Sequence, residues 1–246
     1  MPINPATTVR QLATEMPGAT RVFEKFKIDY CCGGHKPLVE ACANAGLDLQ
    51  EVEQQLALSE TTQASQTTEF NEMRLPVLIE HIVNKHHVFT KEEMVRLEAL
   101  AAKVESVHGE NHPELRQVSG LFRRLCIDLT PHMFREEQVL FPYIVQLERA
   151  STEKLNAPFA PFGTVNNPVR MMMMEHDAAG EILRELRKVT NDYAVPADVC
   201  ISYTTLYEAL EAFEKDLHQH IHLENNILFP GAIELEHRHL REMQSI

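Results

Sequence analysis

The chain has 246 residues and carries a formal net charge of −13, with 44% hydrophobic and 24% charged residues. That size supports one sizeable domain plus a small one. The acidic balance argues against a nucleic-acid partner, and the absence of a long apolar run argues against a membrane span. The N-terminus MPINPATTVR has no basic stretch followed by an apolar one, so no signal peptide is expected. Five cysteines, two of them adjacent, do not form a secreted disulfide framework, and a reducing cytoplasm is the expected location.

Residues 1–58 read as a small helical unit. Thr7 or Thr8 caps a first helix to Met16, Pro17-Gly18 breaks it, and a second helix, 19–26, carries Val22, Phe23 and Phe26 on one face. Asp29-Tyr30-Cys31-Cys32-Gly33-Gly34-His35 is a turn by composition, followed by helical stretches at 37–45 and 48–58. Residues 59–72 begin SETTQASQTT and read as a polar linker. From 73 to 246 the pattern is that of four long helices: 76–108 stopped by Gly109, a second from about Pro113, a third from Pro168 to about Thr190, and a fourth from about Pro196 to Phe229. No convincing period-2 alternation occurs. The expected fold is all-α, a four-helix bundle preceded by a small helical domain.

An internal repeat marks the bundle. H-x-x-x-E-x-x-[VI]-L-F-P occurs twice, 88 residues apart, with His132 and Glu136 answered by His220 and Glu224. His87 and His176 stand 89 residues apart, one on each intervening helix. Residues four apart share a helix face, and these pairs lie among apolar neighbours. A buried carboxylate without a partner costs several kcal/mol, so two such carboxylates among imidazoles call for a cation, and the mixed donor set suits iron. Six ligands fit two non-haem iron ions. Each ion takes two imidazoles, Glu136 and Glu224 bridge, an oxo or hydroxo group completes the bridge, and an open position remains on each ion.

The plainer readings compete with this one. A single histidine on an amphipathic helix is more often packing than a ligand. His86 and His81 are rivals of His87, and His222 is a rival of His220. Glu105-x-x-His108 and Glu236-x-x-His239 resemble ferritin-type pairs but sit near helix ends and read as surface, while His218, His237 and His239 read as solvated. Met171 to Met174 read as core filler, and Pro131, Pro142 and Pro230 as bends or ends of helices. Cys31 and Cys32, in a glycine-flanked turn, read as accessible thiols suited to redox exchange or soft metals, with His35 a conceivable third donor.

Taken together, these residues resemble the repair-of-iron-centres family across almost the whole chain. The resemblance rests on Asp29-Tyr30-Cys31-Cys32-Gly33-Gly34 for its short cysteine domain. For its haemerythrin-like part it rests on Glu136-Glu137-Gln138-Val139-Leu140-Phe141-Pro142 and His222-Leu223-Glu224-Asn225-Asn226. It implies a cytoplasmic di-iron protein that restores iron–sulfur clusters damaged by nitrosative or oxidative stress. It assigns His87, His132, Glu136, His176, His220 and Glu224 as ligands, with Cys31 and Cys32 as redox or iron-transfer candidates. His222 departs from the family pattern, which expects a non-ligating polar residue there. Three uses of the site follow: iron donation to damaged iron–sulfur proteins, reduction of NO to nitrous oxide, or reversible binding of NO or O2. A homodimer is compatible with a small domain on a linker.

Overall fold

The computed structural model describes residues 3–16, 18–60 and 67–244. Every regular element among them is helical, and strand-type pairing is confined to an isolated bridge between Thr8 and Pro37. Pro17 and residues 61–66 of the expected linker lie outside the described residues, while Thr67–Glu72, also within that linker, forms a short helix. The chain divides into two compact units, one of residues 1–80, 144–165 and 218–246, the other of residues 81–143 and 166–217.

The first unit opens with four short helices, α1 Val9–Glu15, α2 Ala19–Phe26, α3 Leu38–Ala45 and α4 Leu49–Glu60. Thr8 caps α1 by accepting the Gln11 N–H at 3.2 Å. Val9, Leu12, Val22, Phe23, Tyr30, Leu38, Val52 and Leu56 share one core. No helix here exceeds 12 residues, too short to persist alone in water, so this shared core holds them in place. Truncating the fully buried Phe23 to Ala would cost about 3–5 kcal/mol. The cysteine turn depends on Gly34, where a Cβ would come within 2.7 Å of the Tyr30 carbonyl oxygen. After α5, Thr67–Glu72, come α6, Leu75–His81, and in the same unit the later segments of two long helices.

The second unit is built on α7 Val88–His108, α8 Glu114–Arg135, α10 Asn166–Val189 and most of α11 Ile201–Leu223, with α9 Phe141–Glu153 preceding α10 in the chain. Its core interleaves Leu97 and Val104 of α7 with Leu115, Val118, Phe122, Leu125 and Leu129 of α8, and includes Ile182, Leu183 and Leu186 of α10. Phe122 meets Phe213 edge to face, centroids 5.3 Å apart.

The long helices differ from expectation at their prolines. Pro131 lies inside α8, and Pro142 and Pro230 are the second residues of helices that continue, α9 to Glu153 and α12 from Phe229 to Gln244. The fourth helix therefore runs well past Phe229, and it starts at Ile201 rather than near Pro196. Each of those two prolines follows a π-turn: π2, Glu136–Leu140, and π3, Glu224–Leu228. The Phe141 N–H reaches the Glu136 carbonyl and the Phe229 N–H that of Glu224, five residues back rather than four. Proline has no N–H and its ring clashes with the carbonyl four residues earlier, and a widened turn accommodates both facts. A third such segment, π1, Ile82–His87, precedes α7.

Candidate metal centre

All three π-turns coincide with expected ligands: His87 ends π1, Glu136 starts π2 and Glu224 starts π3. Single-turn widenings of this kind recur at functional sites, because the extra residue re-aims the side chains beside it.

In the second unit, four of the six expected residues converge. His87, His132, Glu136 and His176 are each at most 1% exposed. The His87 and His132 Nε2 atoms lie 3.5 and 3.4 Å from Glu136 Oε2. His176 Nε2 lies 3.0 Å from His132 Nε2. Atoms of His132, Glu136 and His176 all fall within 4.8 Å of one another. In the first unit, His220 Nε2 lies 3.0 Å from Glu224 Oε1, with both residues buried.

Hydrogen bonds on the far side of two rings fix their orientation. His87 Nδ1 donates to Glu137 Oε1 at 2.7 Å, and Lys91 holds the same oxygen. His132 Nδ1 donates to Glu175 Oε2 at 2.7 Å, and Arg135 donates to the other oxygen at 2.6 Å. An ionised carboxylate only accepts, so the ring proton sits on Nδ1 and Nε2 carries the lone pair. That lone pair faces Glu136, another acceptor. A cation between them reconciles two acceptors 3.4–3.5 Å apart, since ligand atoms about 2.1 Å from one ion stand about 3.0–3.4 Å from each other. These residues fit a metal ion. The His132 hydrogen bond, with Arg135, holds the Glu175 carboxyl down at about 2. Burial pushes Glu137 up, but its bonds to Lys91 and His87 leave it below the usual carboxylate range.

The rival histidines are placed elsewhere. His86 is buried and bonds Asp216 at 3.0 Å. His222 is buried, its Nδ1 accepts from Asn226 Nδ2 at 2.7 Å and its ring meets Tyr30 edge-on at 5.4 Å. Burial, reinforced by Arg10, pushes its imidazole down to about 4, so it is neutral at pH 7. His237 is exposed as expected, but two other surface readings are corrected. His239 and Glu236 are 1% and 3% exposed, and Glu236 accepts the Thr164 hydroxyl and the Val165 N–H. His218 is partly buried and pairs with Glu24 at 2.8 Å. Of the methionines, Met172 is core, whereas Met171 and Met174 are 51% and 67% exposed.

The cysteine turn is also less open than composition suggested. Cys31 is 3% exposed and Cys32 half-buried. Asp29 Oδ1 accepts the N–H groups of Cys31 and Cys32 at 3.2 and 2.9 Å. The two sulfurs stand 3.7 Å apart, and Cys31 Sγ is 3.4 Å from Asp29 Oδ1. The Cys32 sulfur, then burial and Asp29, push the Cys31 thiol up. His35 is exposed; the third donor beside the sulfurs is Asp29. The turn is fastened to π3, with Asn226 Nδ2 donating to the Tyr30 carbonyl at 3.0 Å and Asn225 Nδ2 to that of Cys31 at 3.4 Å.

Comparison with known proteins bears on what this arrangement is. Residues 5–60 match a domain of unknown function (DUF542), and residues 78–232 match the haemerythrin HHE cation binding domain. A probable iron-sulfur cluster repair protein of Haemophilus influenzae is 34% identical over 224 residues, 91% of this chain and 95% of that one. The iron-sulfur cluster repair protein YtfE of Yersinia pseudotuberculosis is 34% identical over 222 residues, 90% of this chain and 94% of that one. The chain belongs to the repair-of-iron-centres family. Its fold is that family's all-α one, a haemerythrin domain after a domain of short helices. In this family member the buried His and Glu groups suit a metal ion. No helix among the described residues is long and apolar enough to cross a membrane.

Proposed function

We propose that this protein repairs damaged iron–sulfur clusters and that its bundle holds two iron ions on His87, His132, Glu136, His176, His220 and Glu224. The observation that carries the reading is the convergence of three buried imidazoles on the buried Glu136. The second pair, His220 and Glu224, is assigned to the same centre for two reasons. It repeats the first pair's motif and π-turn, and the matched cation-binding domain spans all six residues. The relatives' names supply cluster repair.

Iron is cargo in this reading, and iron–sulfur proteins with damaged clusters are the partners. Imidazole and carboxylate are intermediate and hard donors, whereas a dithiol is soft. Ferrous iron leaving the bundle would therefore find in Cys31 and Cys32 donors like those of the clusters it is to rebuild.

The test has two parts. Metal analysis should give about two irons per chain, lost in His132→Ala and Glu224→Ala. Ferrous-loaded protein mixed with an inactivated iron–sulfur enzyme should restore more activity than the same concentration of free iron. Equal recovery would exclude donation and turn attention to NO or O2 as the ligand of the centre.

A further inference from the structure

We propose that Asp29, Cys31 and Cys32 form a second metal site, three corners of a tetrahedron open to a fourth ligand, for a borderline-soft divalent ion such as Fe2+ or Zn2+. An ion about 2.3 Å from two thiolate sulfurs and about 2.0–2.2 Å from a carboxylate oxygen sets the sulfurs about 3.8 Å apart and sulfur and oxygen about 3.5–3.7 Å apart, at tetrahedral angles. The sulfurs here are 3.7 Å apart and Cys31 Sγ lies 3.4 Å from Asp29 Oδ1. One donor atom from each of the three residues falls within 4.8 Å of the other two. A disulfide requires about 2.05 Å between sulfurs, so the turn is spread as a chelate rather than closed as a bond.

The surroundings hold that spread. Asp29 accepts two backbone N–H groups of the turn, which fixes its carboxylate beside the sulfurs. A Cβ at position 33 would lie 3.1 Å from Asp29 Oδ2, so Gly33 leaves that second oxygen room. Asn225 and Asn226 pin the carbonyls of Cys31 and Tyr30. A chelate held in its bound shape loses little freedom on binding. The neighbouring Cys32 sulfur, burial and the Asp29 carboxylate disfavour the Cys31 thiolate when no cation is present. Binding therefore releases both thiol protons to solvent as the two metal–sulfur bonds form, with no change of oxidation state. Cys32 is the more exposed of the pair. The site takes no metal ligand from the bundle; only the naming of its physiological ion as iron rests on the function proposed above.

Cobalt(II) is the probe, because thiolate ligation produces an intense charge-transfer absorption that His and carboxylate ligands do not. The experiment uses the reduced full-length chain in a Cys200→Ser background, since Cys200 is an exposed thiol. The expected result is a band that saturates at one cobalt per chain and is lost in Cys31→Ser and in Cys32→Ser. Asp29→Asn keeps an acceptor for the two N–H groups, so it should preserve the turn while weakening cobalt binding at least tenfold. No band in the parent, a band that survives Cys31→Ser, or unchanged affinity in Asp29→Asn would each overturn the site. His132→Ala separates the two ideas: it should strip the bundle's iron and leave the cobalt band intact. A parent chain that carries no bundle iron yet gives the band refutes the di-iron reading and supports this one.

Discussion

Around Glu136 and around Glu224 the backbone does the same thing, a five-residue π-turn closed by a Phe-Pro step, yet the outward side chains differ at every turn-facing position. Glu137 corresponds to Asn225, Gln138 to Asn226 and Phe134 to His222. In the first copy Glu137 reaches back to orient His87, Gln138 is exposed and Phe134 is 64% exposed. In the second copy both amides donate to carbonyls of the cysteine turn, and His222 is 1% exposed beneath Tyr30. The proposed metal centre asks the same chemistry of the inward residues, which repeat. The outward ones are dictated by what each copy meets. Carbonyls need neutral donors, which asparagine supplies and glutamate cannot. A ligand imidazole needs an acceptor, which glutamate supplies.

The most severe way to break this comparison is to remove the shared part. Glu136→Ala and Glu224→Ala should each abolish bound metal, read by elemental analysis, with helicity by circular dichroism as the check on folding. If only one of them loses metal, the two copies do not serve one centre. Next in size is Glu137→Gln. An amide at that position no longer fixes the proton on His87 Nδ1, and metal affinity should fall about 10- to 100-fold in a chelator competition. The matched change in the second copy, Asn225→Gln, should leave metal affinity within a few-fold.

Smaller effects sharpen the contrast on the outer face. Asn226→Ala removes the hydrogen bonds to the Tyr30 carbonyl and to His222 Nδ1, and loss of the first should release the cysteine turn by about 1 kcal/mol. Faster amide exchange at residues 30–34 would register that release, while Gln138→Ala should change nothing. The smallest expected effect lies outside both copies. Cys200 precedes α11 and its sulfur lies 3.0 Å from His108 Nε2. That contact, helped by backbone N–H groups, brings its thiol down to about 7. Only the thiolate is nucleophilic, so alkylation should rise through about pH 7 and level off above it. His108→Ala should move that rise toward the ordinary thiol value of 9.0. A profile unmoved by the substitution would show that the helix start alone activates the sulfur.

Much of this molecule is legible in its sequence. Helical periodicity and the polar-to-apolar changes placed the long helices, and the 88-residue repeat singled out His132 with Glu136 and His220 with Glu224. Each pair is one helical turn apart, so proximity within it is a local property that four-residue spacing guarantees. The π-turns were less visible, although the repeated L-F-P step was their signal: a proline that fails to end a helix requires a widened turn before it. Glu236 was misread because burial at a helix end depends on a distant partner, here Thr164 and Val165 about seventy residues away.

The sequence by itself determined the helices, the repeat, the acidic character and the chemistry of the donor set, since these follow from composition and from neighbours within a turn or two. Tertiary structure decided which of two adjacent histidines faces Glu136, that His222 serves packing, and that Asp29 rather than His35 joins the sulfurs. It also decided that the cysteine turn rests on Asn225 and Asn226, partners 194 and 196 residues away. Those choices rest on contacts that spacing along the chain does not encode, and burial selects among them by leaving each polar group one place where it is paired.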